Sequence, residues 1–243
     1  MRNPKSEKGG SDFEFRISDL FSDFEFRISD FSSMSPLPAQ DLRSNLGTWA
    51  VPPALAPAVA RVLLDALPCE PYDPEFRGQE LETTYFDTRD FALRKARRRG
   101  DMYLTLRIRC YQPGGVYALS AKTEDRKFRL EIDSWRAQVI LGGGTDLLLE
   151  LLPVDLVARL MALVGVESLV PVATVCARRY AVEDETDRLT LDTGVRTDTG
   201  KTLDAGVLEF KSTRQAAAPP AALAGLNLRP VKISKFLWAT LWR

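Results

Sequence analysis

Arg107 and Arg109 stand two residues apart in Leu106–Tyr111, LRIRCY, a run with the composition of a β-strand. A strand sends residues i and i+2 to one face, so both guanidinium groups would point the same way. That face cannot be an ordinary core, because burying unpaired cations costs several kcal/mol or more. It looks either at water or at an anion.

Other β-like runs repeat the pattern. Lys122, Lys127 with Arg129, Arg178 or Arg179, Arg188 and Lys211 lie inside them, and Lys232 and Lys235 follow in the terminal segment. One carboxylate, Glu209, sits among these cations in VLEFK. Any single residue of the set fits the solvated face that antiparallel sheets commonly carry. Solvated strands normally mix their signs, however, and the one-sided set points to a wall that binds a polyanion. Arginine's planar fork bonds phosphate oxygens in pairs, and lysine adds a point charge. Glu209 then suits a ligand for a divalent ion, Mn2+ or Mg2+, bridging phosphate oxygens. Phosphoryl transfer is mostly positioning and charge neutralisation, so such a site could act without histidine.

Composition narrows the chemistry further. The 243 residues contain no histidine, which excludes a Ser-His-Asp triad, a histidine base and histidine-held zinc. Lys+Arg and Asp+Glu both total 33, so the global basic excess of a non-specific nucleic-acid binder is missing and any anion site must arise from local arrangement. Cys69, Cys110 and Cys176 are widely spaced, which fits a reducing compartment and an expected cytoplasmic location. The apolar run Leu147–Val175 is broken by Glu150, Pro153, Asp155, Arg159 and Glu167 and does not read as a membrane span; no secretory signal is evident either.

The elements that would position these side chains follow in order. SDFEFRISD occurs at Ser11–Asp19 and again at Ser22–Asp30, too few copies for a solenoid. Residues 1–37 are expected to be a disordered tail, and a true start at Met34 would explain the repeat as duplicated upstream coding sequence. A short strand near Trp49 leads to a helix over Ala54–Leu67, and strands are predicted at Gln79–Asp87, Asp101–Tyr111, Val116–Lys122 and Arg126–Ile132. Arg94–Arg99 reads as a solvated turn or an anion funnel. Helices are predicted over Ser134–Leu149 and Pro153–Val164, then strands over Val172–Val182, Arg188–Asp192 and Gly206–Lys211. Gly142–Gly144 lacks the Lys-Ser/Thr of a phosphate loop and reads as a connection. By alternation Cys110 faces away from the arginines, into core, and Trp238 with Trp242 forms an apolar stripe. The fold class is α+β, with seven to eight hairpin-linked strands that could close into an antiparallel barrel.

Six pieces, TTYFDT at Thr83–Thr88, LRIRCY at Leu106–Tyr111, LSAK at Leu119–Lys122, RLTLD at Arg188–Asp192, VLEFK at Val207–Lys211 and KISKF at Lys232–Phe236, occur in an order and spacing that resemble the polyphosphate polymerase (VTC) domain of the CYTH-like triphosphate tunnel superfamily. The resemblance implies a tunnel domain over residues 38–243, an eight-stranded antiparallel barrel with flanking helices, binding ATP, triphosphate or polyphosphate with Mn2+ or Mg2+. Polymerase members transfer the γ-phosphate of ATP to polyphosphate; relatives hydrolyse triphosphate or cyclise ATP. It further implies catalytic roles for Arg107, Arg109, Lys122 and Lys235, phosphate contacts from Lys127, Arg129, Arg178, Arg179, Arg188, Lys211 and Lys232, and Glu209 as the metal ligand. A membrane partner occurs in some assemblies of the family. Thr48 stands where the family's first strand carries a cation, and Ser120 where LExK carries a carboxylate, which keeps open a weakened phosphoanion-binding module and a metal-dependent triphosphatase as alternatives.

Overall fold

Period-two alternation in the sequence becomes one antiparallel sheet. The computed structural model describes residues 43–241 apart from 72, 113, 166, 167 and 216, all within the unit Pro38–Arg243. The duplicated SDFEFRISD segment and Trp242 lie outside the described residues. The strands are β1 (Ser44–Val51), β2 (Gln79–Thr88), β3 (Thr105–Gln112), β4 (Val116–Lys122), β5 (Lys127–Ile132), β6 (Leu169–Glu183), β7 (Asp187–Thr197), β8 (Gly206–Ser212) and the short β9 (Arg229–Pro230). Their spatial order is β5-β4-β3-β2-β6-β7-β8-β1-β9. The expected closed eight-stranded barrel is therefore corrected to a nine-stranded sheet, with no hydrogen-bonded ladder between β5 and β9 among the described residues. The physical reason lies at the ends. β9 pairs with β1 over only Trp49–Pro230 and Ala50–Arg229, after which the chain turns into a helix rather than extending toward β5.

Helices cover the outer face of the sheet in two groups. Outward residues Leu106, Ile108, Leu119 and Ile132 pack against α3 (Ser134–Leu141), α4 (Thr145–Glu150) and α5 (Val154–Val164) through Ile140, Leu148, Leu156 and Leu160. Cys110 is buried on that outward side, as alternation requires. Over the other half, Val51, Leu189, Leu191, Leu208 and Phe210 meet Val59 and Leu63 of α1 (Ala56–Ala66) and Leu223 of α6 (Ala221–Ala224). Each such fully buried Leu, Ile or Phe contributes on the order of 1.5–3 kcal/mol. The single helix expected over Ser134–Leu149 is two, because the chain turns through Gly142–Gly144 and Gly143 takes φ 104°, a conformation that favours glycine.

The basic cluster Arg94–Arg99 is helical rather than a turn. It lies in α2 (Ala92–Arg99), whose first N–H groups are capped from Asp87, which accepts from Leu93 and Arg94 at 2.8 and 2.9 Å. Gly100, at φ 78°, closes the last turn with its N–H on the Arg97 carbonyl, and Arg97, Arg98 and Arg99 sit at the negative end of the helix. The terminal segment forms α7 (Lys235–Thr240), where Ser234 accepts a capping bond from Leu237 at 3.3 Å. Phe236 and Ala239 pack with Tyr85, Val175, Ala177 and Val195 of β2, β6 and β7, and the Phe236 and Tyr85 rings lie 5.4 Å apart. No helix among the described residues is long and apolar enough to cross a membrane.

Candidate functional site

Inward-facing residues of the sheet line a cavity of about 540 Å3. Its wall includes Lys127 and Arg129 from β5 at one edge of the strand order and Ser44 and Asn45 from β1 near the other, so the sheet curls until both margins face the same space. Among the described residues twelve cations line it: Arg43, Arg97, Arg107, Arg109, Lys122, Arg126, Lys127, Arg129, Arg179, Arg188, Lys211 and Lys235. Among the described residues the carboxylates on the lining itself are Glu124, Asp125 and Glu209.

Strand register sets the rows. On β3, Thr105, Arg107, Arg109 and Tyr111 alternate inward, and Arg107 lies level with Ser120 of β4, itself level with Arg129 of β5. One row away, Thr105, Lys122 and Lys127 align, which puts two lysines directly across a strand pair. Like charges so placed repel unless an anion or water separates them. Inner rows along a strand are ~6.6 Å apart, so these cations form a line longer than one phosphate group.

This wall has little internal compensation. Among the described residues no carboxylate lies within ion-pairing distance of Arg107, Arg109, Lys122 or Arg129. Arg109 donates to the Thr83 hydroxyl at 3.0 Å, and its titratable neighbours are Arg107, Arg179, Tyr111 and Tyr85. Burial, then Arg107 and Arg179, pulls its pKa down to about 10. Arg109 and Arg129 lie 5.9 and 5.4 Å from the Tyr111 ring. Burial by itself would raise the Tyr111 phenol, yet Arg109, Arg129 and Arg179 outweigh it and lower its pKa to about 7. Arg97 and Lys122 approach the Tyr103 ring at 4.0 and 5.4 Å, and Arg97 donates to Thr105 at 3.2 Å.

The opposite wall is neutralised from within. Arg179 donates from Nε and Nη2 to the two Asp192 oxygens at 2.7 and 2.8 Å, and Lys235 Nζ is 2.6 Å from the same carboxylate. Burial would raise Asp192, but Arg179 and Lys235 hold it well below the usual carboxylate range. Glu209 is held low in the same way, burial being outweighed by Lys235, Lys211 and Arg179. Arg188 pairs with Glu70 and approaches Glu183 at 3.5 Å, while Arg43 reaches Glu183 at 2.9 Å.

Of the residues singled out in the sequence, Arg107, Arg109, Lys122, Lys127, Arg129, Arg179, Arg188, Glu209, Lys211 and Lys235 share the cavity. Arg178 and Lys232 do not: Arg178 lies on the outer face, bonded to Glu80 at 2.6 and 2.8 Å, and Lys232 is exposed. Alternation makes Arg179 the inward member of CARRYA. Sequence reasoning missed Arg43, Tyr103, Tyr111 and Asp192, while Arg97 belongs to the Arg94–Arg99 cluster and lines the cavity as the funnel alternative expected. Tyr111 and Asp192 were accessible by counting, since each falls an even number of residues from an inward arginine.

A resident divalent ion does not fit this donor set. Glu209 already faces Lys235 at 3.7 Å and Lys211 at 3.4 Å, and no group of three or more His, Cys, Asp or Glu side chains among the described residues could hold a metal. Directly across from Glu209 stand Thr48 of β1 and Thr190 of β7, neither of them anionic.

No protein-family profile and no curated protein matches the chain. Solved structures similar to it include a proposed adenylyl cyclase of Hippeastrum described with a dominant triphosphatase activity (TM-score 0.48, 19% identity, 78% of this chain and 91% of that one). A proposed adenylate cyclase of Bacillus halodurans gives TM-score 0.47 and 18% identity over 69% and 79% of the two chains. A Pyrococcus horikoshii protein gives 0.42 and 14% over 81% and 99%. None of these three is described as a polyphosphate polymerase.

Proposed function

We propose that the cavity binds a linear oligophosphate: free triphosphate, polyphosphate or the triphosphate tail of ATP. The observation that carries this reading is the β3–β5 wall, where Arg107, Arg109, Lys122 and Arg129 face one space in successive rows with no carboxylate partner among the described residues. Such a wall is self-repelling when vacant and is relieved by a chain of negative charge longer than a single phosphate. Tripolyphosphate at a hundredfold excess over its Kd should stabilise the protein by about 2.7 kcal/mol. In a chain of this size that is a rise of roughly 5–10 °C in Tm. A melting curve that tripolyphosphate and sulfate leave unmoved would refute the reading.

A narrower reading, transfer of the γ-phosphate of ATP to polyphosphate with Mn2+ or Mg2+, rests on the sequence resemblance. One feature of the site favours it: Glu209 stays ionised inside the cavity. The two lysines beside that carboxylate oppose a metal there, which ranks transfer and triphosphate hydrolysis behind binding. Incubation with ATP and MnCl2, followed by assays for polyphosphate and free phosphate with Glu209→Gln as control, separates the three. Long-chain product lost in the control identifies a polymerase, free phosphate alone a triphosphatase, and ATP binding without turnover a binding module.

A further inference from the structure

We infer that the cavity takes its oligophosphate as the metal-free anion, with Lys235 and Lys211 fixed at Glu209 in the role expected of a divalent cation; this rests on the oligophosphate reading above. Each oxygen of Glu209 faces an ammonium group, Oε1 at 3.7 Å from Lys235 and Oε2 at 3.4 Å from Lys211. Both oxygens of Asp192 are already engaged, each accepting from Arg179, and Lys235 adds a contact at 2.6 Å. Its side chain is only 3% exposed, so water cannot readily make up a coordination shell there.

The other carboxylates of the cavity do not converge on Glu209. Asp125 follows β4 in the turn to β5, where it accepts from the Thr123 hydroxyl at 2.7 Å and lies 3.6 Å from Arg159. Glu124 belongs to the same turn and Glu209 to β8, and among the described residues no three carboxylates come together as a group that could hold a metal. Magnesium demands near-octahedral oxygen coordination, and a cation entering at Glu209 would meet two ammonium groups first. An ammonium group supplies the same neutralisation as a bound cation, as a strongly hydrated point charge with three donors. Lys235 is placed for this by the Ser234 cap of α7 and by Asp192, which together fix its stem and head. Magnesium complexation removes negative charge from a triphosphate before it reaches the arginine wall. For this cavity the complexed ligand is therefore the weaker one.

The test is isothermal titration of tripolyphosphate into the full chain, once with EDTA and once with excess MgCl2. Binding in EDTA at least as tight as in magnesium is expected, with a preference of about tenfold or more, equivalent to about 1.4 kcal/mol. Binding that is tighter in magnesium, or confined to it, overturns the inference while leaving the oligophosphate reading intact. Absence of binding in both arms overturns both. The variant Glu209→Gln frees the two lysines and should raise the affinity in EDTA several-fold; loss of binding in that variant would count against the lysines as the neutralising groups. MnCl2 alone should not shift the Tm of the wild-type chain, and a saturable rise would show a resident metal site.

Discussion

Arg107, Arg109, Lys122 and Arg129 on the β3–β5 wall have no carboxylate partner among the described residues, whereas Arg179, Arg188, Lys211 and Lys235 across the cavity are each held by one. The residue types are the same and both sets face inward. What differs is what the fold places behind them: aromatic rings and hydroxyls on one side, Asp192, Glu209, Glu70 and Glu183 on the other. A cation already paired contributes its field but has little left to gain from a ligand, and removing its partner leaves a buried charge stranded. An unpaired cation does the reverse, lowering stability in the free protein and gaining most when an anion arrives. The first wall is thus the recognition surface, and the second, apart from the Lys211 and Lys235 charges held at Glu209, is a prefolded scaffold that shapes the cavity.

The largest effect should come from breaking the scaffold wall. Asp192→Asn keeps the side-chain shape but leaves Arg179 and Lys235 uncompensated, and should cost about 3–5 kcal/mol of stability, read from urea denaturation. If the two walls were electrostatically alike, the loss would match that of a recognition-wall variant. On that wall, Arg107→Ala should weaken tripolyphosphate binding by about 1–3 kcal/mol in titration calorimetry while leaving the ligand-free Tm unchanged or higher. A parallel fall in both quantities would mean that Arg107 is structural.

The pH dependence sharpens the same contrast. The Tyr111 phenol, lowered to about 7 in the folded protein against about 10 when unfolded, contributes stability that is full above pH ~10 and is lost as pH falls through about 7. Its phenolate is an internal anion among Arg109, Arg129 and Arg179, so oligophosphate affinity should fall as pH rises through about 7. Tyr111→Phe should remove that step, and the phenolate absorbance of the wild type should titrate near neutrality. The smallest effect belongs to Arg178→Ala. This arginine is exposed on the outer face against Glu80, so neither affinity nor Tm should move beyond measurement error.

Much of the architecture was legible in the residues. LRIRCY, LSAK and VLEFK alternate strictly, and each became a strand with its charged side chains inward and its apolar ones under helices. RKARRR did not read as a helix because that helix depends on caps outside the run: Asp87 lies five residues before the helix begins, and Gly100 follows it. The expectation of closure failed for a related reason. Whether β5 meets the far edge depends on where the chain goes after β9, and there Ser234 starts a helix whose Phe236 packs against Tyr85.

By itself the sequence determined which side chains share a face, because a two-residue period is a local property of the backbone. It also determined, through the absence of histidine, which chemistries were closed. Only the tertiary structure decided which cations are free and which are spoken for. Arg179 is thirteen residues from Asp192, and Arg188 is 118 from Glu70. The charge left over for a ligand is a difference between cations and carboxylates that meet only when β6, β7 and the terminal helix fold together, and no spacing within one strand encodes it.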